Sequence, residues 1–402
     1  MTCTVVRERN QLRLYDAVHR ASRSGEAVAV LDPTWPEPFL GAAIDQVEAA
    51  VAVGHVGRGD LVVFSSGSTG QPRGVVRTVD SWQASVGAFG DVAGISAQDT
   101  VWLTGPLWSS LFLYGAFHAG AVGARMLFRD DDPATATALH CVPSQLPALL
   151  RRADDGGLPL LRRVVVAGDH CPASLTAQGE AAGWRVVEYY GAAELSFVAW
   201  REDGGPLQAF PGVQAEVRQG LLWARSRYLA RGYLTDDPTI HEATLEGTRE
   251  AALGGLHQAT DDGIHEATGR GGPLRFDRQG WATVSDLARE VPGGLEVLGR
   301  GNSAVTSAGH TVVVEEVERL LQGLPDVDEV AVLGMPDPRW GQLLTAVVVG
   351  PAADGTLRAA VAGMPAPSRP RRWLHTQALP RTSGGKLRRD ALPGLVTILS
   401  QR

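Results

Sequence analysis

Cysteine is scarce in this chain. The three present, Cys3, Cys141 and Cys171, stand far apart and share no pairing or metal-ligand spacing. That excludes a disulfide framework and a cysteine-held metal, and it suits a reducing compartment. Long runs of one charge are also missing. The formal charge is -7, and the short basic cluster at 369–372 has no interleaved aromatic residues, so nucleic acid is excluded as an expected partner. The opening MTCTVVRERN brings charges within ten residues and has no apolar core before a small-residue cleavage site. It does not read as a secretory signal, and a cytoplasmic location is expected. One long stretch lacks charge, Val101 to Ala124, which is long enough to cross a bilayer. It holds Pro106, His118, two adjacent serines and four glycines, a mix that favours a buried segment of a soluble protein over an integral membrane span.

The composition that is there, 44% apolar and 20% charged over 402 residues, is globular and large enough for two domains. Short apolar runs, LVVFSS, RVVVAG and WRVVEYYG, alternate with helical spacing such as SQLPALLRRA. This predicts an α/β fold of helix-covered β-sheets, with ligands at the strand ends, where Gly and Ser open into turns. After about residue 300 the pattern reads strand, helix, strand, turn, strand, a compact α+β unit. We place the boundary near Gly299 to Asn302, giving domains at 1–300 and 301–402. Between Asp236 and Gly272 lies a near-duplicate, DDPTIHEAT and DDGIHEAT, with little to bury. It is expected to be a solvated, mobile insertion within the first domain. His241 with Glu242 and His265 with Glu266 are adjacent pairs, not an H-E-x-x-H arrangement, so no metal is expected there.

In VVFSSGSTGQPRGVV, residues Ser65, Ser66, Gly67, Ser68, Thr69 and Gly70 supply hydroxyls and backbone N–H groups, and Arg73 adds charge. That is an inventory for polyphosphate oxygens. It lacks the Lys-Ser or Lys-Thr that closes a G-x-x-x-x-G-K-S/T loop, and alone it reads equally as a flexible turn. Four more segments follow: YYGAAE at Tyr189 to Glu194, GWATVSDLA with Asp286, VLGRGNSAVTSAGH with Arg300, and LPRTSGGKLRRDAL with Lys386 in a glycine loop. Taken singly, Tyr190 reads as a strand-end aromatic, Glu194 as a helix-start acid, Asp286 as a turn former and Lys386 as a solvated lysine.

In this order, from about Leu61 to Leu392, the segments resemble the adenylate-forming (AMP-binding) superfamily of acyl-CoA synthetases, nonribosomal peptide adenylation domains and luciferases. The familiar pattern there begins Y-T-S-G-T-T-G-x-P-K-G and ends P-x-T-x-x-G-K. The resemblance implies a large N-terminal domain and a small mobile C-terminal domain with the active site between them, using ATP, Mg2+ and CoA. It implies that Ser65 to Gly70 and Arg73 hold the phosphates, and that Tyr190, beside Gly191, stacks on adenine. Gly168 and Asp169 line the adenine pocket, Asp286 holds the ribose with Arg300 nearby, and Glu194 holds Mg2+. Lys386 bridges the substrate carboxylate and the phosphate. A carboxylate is a weak nucleophile toward a charged phosphate, so cations and alignment are what the chemistry requires. For the second step the resemblance implies a rotation about Asn302 that withdraws Lys386 and brings Ala308 and Gly309 to a thiol channel.

The sequence also departs from that pattern. The phosphate loop comes only some sixty residues in, so part of the first subdomain is expected to be missing. A minimal acyl pocket or reliance on a homodimer would follow. Arg73 replaces a lysine, and Ala193 stands where a threonine hydroxyl commonly meets the α-phosphate, so either a neighbour such as Ser196 compensates or turnover is slow. Asn302, Ser285 and Ala308 replace a hinge acid and two glycines, which leaves adenylation better supported than thiolation. Trp108 and Ser109 occupy the place of an aromatic–histidine pair, and no aspartate follows to hold an α-ammonium. The substrate is therefore expected to be a fatty or aryl acid, with Phe112, Tyr114 and Phe117 read as pocket or core. Three readings stay open: an acid–CoA ligase, a ligase delivering its adenylate to an acyl-carrier protein or an amine, and a non-catalytic nucleotide binder. Intact Lys386, Asp286, Arg300 and Glu194 argue against the last.

Overall fold

The apolar runs become strands where the sequence places them, at Asp60–Ser65, Arg163–Ala167 and Arg185–Ala192. The structure, a computed structural model, describes residues 2–65, 73–202, 204–234, 264–265, 274–300, 304–307, 310–337 and 341–401. The expectations on Ser66 to Gly70, Asn302, Ala308, Gly309 and nearly all of 236–272 therefore lie outside the described residues, as do the side chains of Ser65 and Arg300. Within that insertion only Ile264–His265 is described, paired antiparallel with Phe276 and Asp277.

Two sheets carry the first part of the chain. In one, Cys3–Val6, Ala27–Val30 and Asp60–Ser65 run parallel, and Arg73–Thr78 returns antiparallel in a hairpin whose register pairs Ser65 with Arg73. In the other, Arg125–Leu127, Thr100–Leu103, Ala138–Cys141, Arg163–Ala167 and Arg185–Ala192 are parallel, and Ser196–Arg201 turns back along the last. The residues of Ala138–Cys141 are all buried, as a parallel strand covered on both faces should be. The charge-free stretch forms the strand Thr100–Leu103 and the helix Ser110–Val122, which is apolar all round and enclosed. No helix among the described residues is long and apolar enough to cross a membrane. A third, antiparallel sheet contains Leu221–Arg225, Asp286–Val291 and Gly294–Arg300.

The hydrophobic core changes between Val297 and Val305. Side chains up to Val297 pack in clusters of the two parallel-containing sheets and the third sheet, whereas those from Val305 on pack around the helix Val314–Gln322 and the strands Glu329–Asp337, Gly341–Val349 and Arg372–Thr376. The molecule is a mixed α/β fold with a large N-terminal and a small C-terminal part. The helix Val314–Gln322 leans back on the large part, where Arg319 pairs with Glu296 and donates to the Val297 carbonyl at 3.0 Å. Further on, Arg389 grips Glu318 of that helix through both carboxylate oxygens at 2.9 and 2.6 Å, fixing the C-terminal segment.

His118 and His140 sit fully buried against Phe89, with ring centroids 4.8 and 5.7 Å from it. Burial lowers their pKa values to about 4 and about 3. The folded state thus keeps them neutral while the unfolded chain protonates them below about pH 6.5. Stability from this source is complete above that pH and falls as pH drops toward 4, by about 1.4 kcal/mol per pH unit for each histidine. Urea unfolding between pH 7.5 and 5 should show the fall, and it should be smaller in a His118→Leu, His140→Leu double variant. Equal slopes in the two proteins would reject the assignment.

Candidate functional site

The carboxyl ends of the parallel strands are where the chain's candidate residues collect, as expected for open α/β sheets. Asp32 follows the strand Ala27–Val30, Trp108 and Ser109 follow Thr100–Leu103, Ser144 follows Ala138–Cys141, and Gly168 follows Arg163–Ala167. All five face one loop of the small C-terminal part. Ser383 donates to Asp32 Oδ2 at 2.6 Å, and Trp108 Nε1 donates to Ser383 at 3.2 Å. Ser144 donates to the Gly385 carbonyl at 3.3 Å, and Ser109 lies against Gly384.

That loop is a tight turn built on Thr382. Its N–H donates to the Lys386 carbonyl at 2.8 Å, its hydroxyl accepts from the Lys386 N–H at 3.1 Å, and Gly385 takes φ +83°. Arg381 donates to the Gly385 carbonyl at 2.7 Å and pairs with Glu329 at 2.7 Å. The result presents Lys386 at the mouth of a cleft, with its Cε 3.0 Å from where a Cβ on Gly168 would stand. Gly168 is at φ +96°, a backbone conformation that favours glycine, and a Cβ there would press on the lysine side chain.

Behind Lys386 the cleft is walled by Trp82, Tyr114, Tyr189 and Phe197 and by the segment Gly191 to Ala193 with Ser196. The described wall carries two cations, Arg77 and Lys386, and no acid. Tyr114 thus faces the cleft, while Phe117 is half-buried against Trp82. Phe112 lies elsewhere. It is fully exposed to neither solvent nor cleft, because its ring covers Gly105 in the core, and any side chain at 105 would collide with it.

Glu194 is 5% exposed and accepts from the Tyr233 hydroxyl at 2.7 Å. Burial first, then the Glu194 carboxylate, raise the Tyr233 phenol far above its ordinary value, and Arg73 opposes them. Glu194, Tyr233 and Arg73 therefore share one electrostatic neighbourhood, at the strand end where Arg73 pairs with Ser65. Among the described residues no group of three or more His, Cys, Asp or Glu gathers to hold a metal. A lone carboxylate fits Mg2+, which takes one or two carboxylates and completes its shell with water and substrate phosphates.

Tyr190 donates its hydroxyl to buried Asp286, which stands opposite Arg300 in the antiparallel register of the third sheet. Asp169 is exposed and turns its carboxylate to the His170 N–H at 2.8 Å.

Sequence reasoning passed over three of these groups. Arg77 is 1% exposed and donates to the Ala193 carbonyl at 2.9 Å, to Ser196 Oγ and the Tyr228 carbonyl at 2.6 Å each, and to Ser81 at 3.0 Å. Burial pulls its guanidinium down to about 9, while Tyr114 and Glu194 hold it up, and it stays a cation at neutral pH. A charge inside the apolar run GVVRT is the signal that marks it. Asp32 is the first polar residue after AVAVL, whereas nothing local marks Tyr233. A further signal lies in composition: Lys386 is the chain's only lysine.

Comparison with known proteins identifies a family. The AMP-binding enzyme family matches residues 55–234, and the AMP-binding enzyme C-terminal domain family matches 316–386. The chain is 29% identical over 360 residues to an uncharacterized acyl–CoA ligase, YhfT, of Bacillus subtilis, covering 81% of this chain and 66% of that one. It thus spans about two thirds of that relative's length. It is also 29% identical over 411 residues to a "Probable 2-succinylbenzoate–CoA ligase" of Mycobacterium tuberculosis, with 94% of each chain covered. Among solved structures, the anthranilate CoA ligase AuaEII with anthranoyl-AMP matches at a TM-score of 0.75 and 17% identity, covering 100% of this chain and 88% of that one. The o-succinylbenzoate CoA synthetase of Bacillus subtilis with its acyl-adenylate matches at 0.72 and 18%, covering 97% and 87%.

Proposed function

Since this chain belongs to the AMP-binding enzyme family, we propose that it is an AMP-forming acid–CoA ligase. ATP and a carboxylic acid give an acyl-adenylate and pyrophosphate, and the CoA thiol then displaces AMP. The observation that carries the reading is the seating of Lys386, from the C-terminal part, against Gly168 in a cleft of the N-terminal part. That position supports a cation shared by the carboxylate and the α-phosphate. The neighbourhood of Glu194 and Arg73 supports a role for the loop 66–72 on the polyphosphate, with Glu194 on the Mg2+ that accompanies it. The Tyr190–Asp286 pair supports a nucleoside site, Asp286 taking the ribose with Arg300 beside it and Gly168, Asp169 and Gly191 bordering adenine. The division at 1–300 and 301–402, the pivot at Asn302 and the thiol channel at Ala308 and Gly309 remain part of this proposal.

Four aromatic rings and two cations with no acid in the described wall support an aryl or fatty acid. An α-ammonium there would be buried without a counter-charge, at a cost of several kcal/mol. The relatives named for 2-succinylbenzoate and anthranilate fit the aryl choice.

Pyrophosphate release over a panel of carboxylic acids tests the first step; no acid-dependent release would sink the reading. Mass spectrometry with CoA present tests the second. Acyl-adenylate accumulating beside untouched CoA would favour delivery to a carrier protein or an amine.

Arg73 gives a smaller test. Its charge, rather than its planar fork, is what a phosphate needs from this position. Arg73→Lys is expected to stay active while Arg73→Ala loses about tenfold or more of its adenylation rate. A wild-type rate in the alanine variant would show the cation to be incidental.

A further inference from the structure

The wall segment from Gly191 to Ala193 offers no side-chain donor to the cleft, and Ser196 supplies the one hydroxyl of the turn that follows. We propose that Ser196 is a catalytic hydrogen-bond donor to the reacting α-phosphate, with buried Arg77 as the residue that positions it. The inference rests on the adenylating reading above.

Three observations carry it. First, Arg77 has only donors, so at 2.6 Å the Ser196 oxygen must be the acceptor. The serine's own hydrogen is then left to point elsewhere, and among the described residues it meets no protein acceptor. Second, Ser196 lines the same cleft as Lys386. An oxyanion bound there would lie between an ammonium group and a hydroxyl polarised by a buried cation, which makes that hydroxyl a stronger donor. Third, Ser196 holds φ +56°, a conformation that glycine takes freely and serine does not. Strain of this kind persists where the surroundings enforce it, and here Arg77 does so by binding both the Ala193 carbonyl and the Ser196 hydroxyl.

In the step concerned, a carboxylate oxygen bonds to the α-phosphorus, the bond to the bridging oxygen breaks, and pyrophosphate departs with that electron pair. Negative charge gathers on the non-bridging oxygens of the α-phosphate. Ser196 donates a hydrogen bond to one of them and keeps its proton. Arg77 touches no reacting atom.

Ser196→Gly is the decisive variant, because it removes the hydroxyl while relaxing the backbone. In acid-dependent ATP–pyrophosphate exchange its kcat should fall about a hundredfold. KM for ATP and for the acid should stay within about threefold, since the interaction strengthens only as the oxyanion develops. The melting temperature should be equal to or above that of the wild type. Ser196→Cys, a weak donor of similar size, should share the kcat loss. Wild-type kcat in Ser196→Gly, or a loss confined to KM, overturns the proposal while leaving the ligase reading intact. No exchange by the wild-type protein with any acid overturns both.

Discussion

Alanine at Lys386 is expected to lower acid-dependent ATP–pyrophosphate exchange by about a hundredfold to a thousandfold, the range typical of removing one preorganised charge from a reacting oxyanion. The structure limits what else the change can do. Lys386 is exposed at the cleft mouth, and its loop is held by Thr382, Arg381, Ser144 and the Ser383–Asp32 bond, none of which uses the lysine side chain. Folding and loop seating should therefore survive. Thioester formation from a supplied acyl-adenylate should be far less affected, because in the proposed reaction the lysine serves only the first step. Lys386→Arg should recover only part of the rate, since a planar fork replaces a compact point charge beside Gly168. Exchange at the wild-type rate in the alanine variant would remove this residue from the mechanism. Because it is the chain's only lysine, amine-directed labelling followed by peptide mapping would report its accessibility with only the N-terminal amine as competitor.

The parts of this site that were legible in the sequence are those whose information is local. A strand ending in a glycine turn, as at Ala167 and Gly168, is written in a few consecutive residues. What was not legible depends on register and long-range approach. Tyr233 meets Glu194 across 39 residues, and Asp32 meets Ser383 across 351. No pattern in either segment fixes the other's position. Arg77 was overlooked for a related reason: a lone arginine in a strand usually faces solvent, and only the turn at Ala193 to Ser196, brought over it by the second sheet, buries it. Phe112 shows the converse. Its sequence position left pocket and core equally open, and the missing side chain of Gly105 leaves a hole in the core that the ring fills.

Glu194→Gln should also cost about a hundredfold in adenylation and should shift activity to higher Mg2+ concentration. The substitution is chosen for what it preserves. A glutamine can keep accepting from the Tyr233 hydroxyl through its amide oxygen, at nearly the same volume, so a buried donor is not stranded. Glu194→Ala would strand it, at about 1–3 kcal/mol, and confound activity with folding. Removing the charge also takes an anionic neighbour from buried Arg77, whose guanidinium Glu194 helps to hold in its charged form. A modest drop in melting temperature is expected on that account, and it should not depend on Mg2+. The two effects separate on a Mg2+ titration. A carboxylate that binds the metal alters the concentration at half-maximal rate, while one that only supports Arg77 lowers the plateau and leaves the midpoint unchanged. Tyr233→Phe, which removes the hydrogen bond and leaves the carboxylate, should move the midpoint by much less than Glu194→Gln. An unshifted midpoint in Glu194→Gln would assign this carboxylate to the support of Arg77 rather than to the metal.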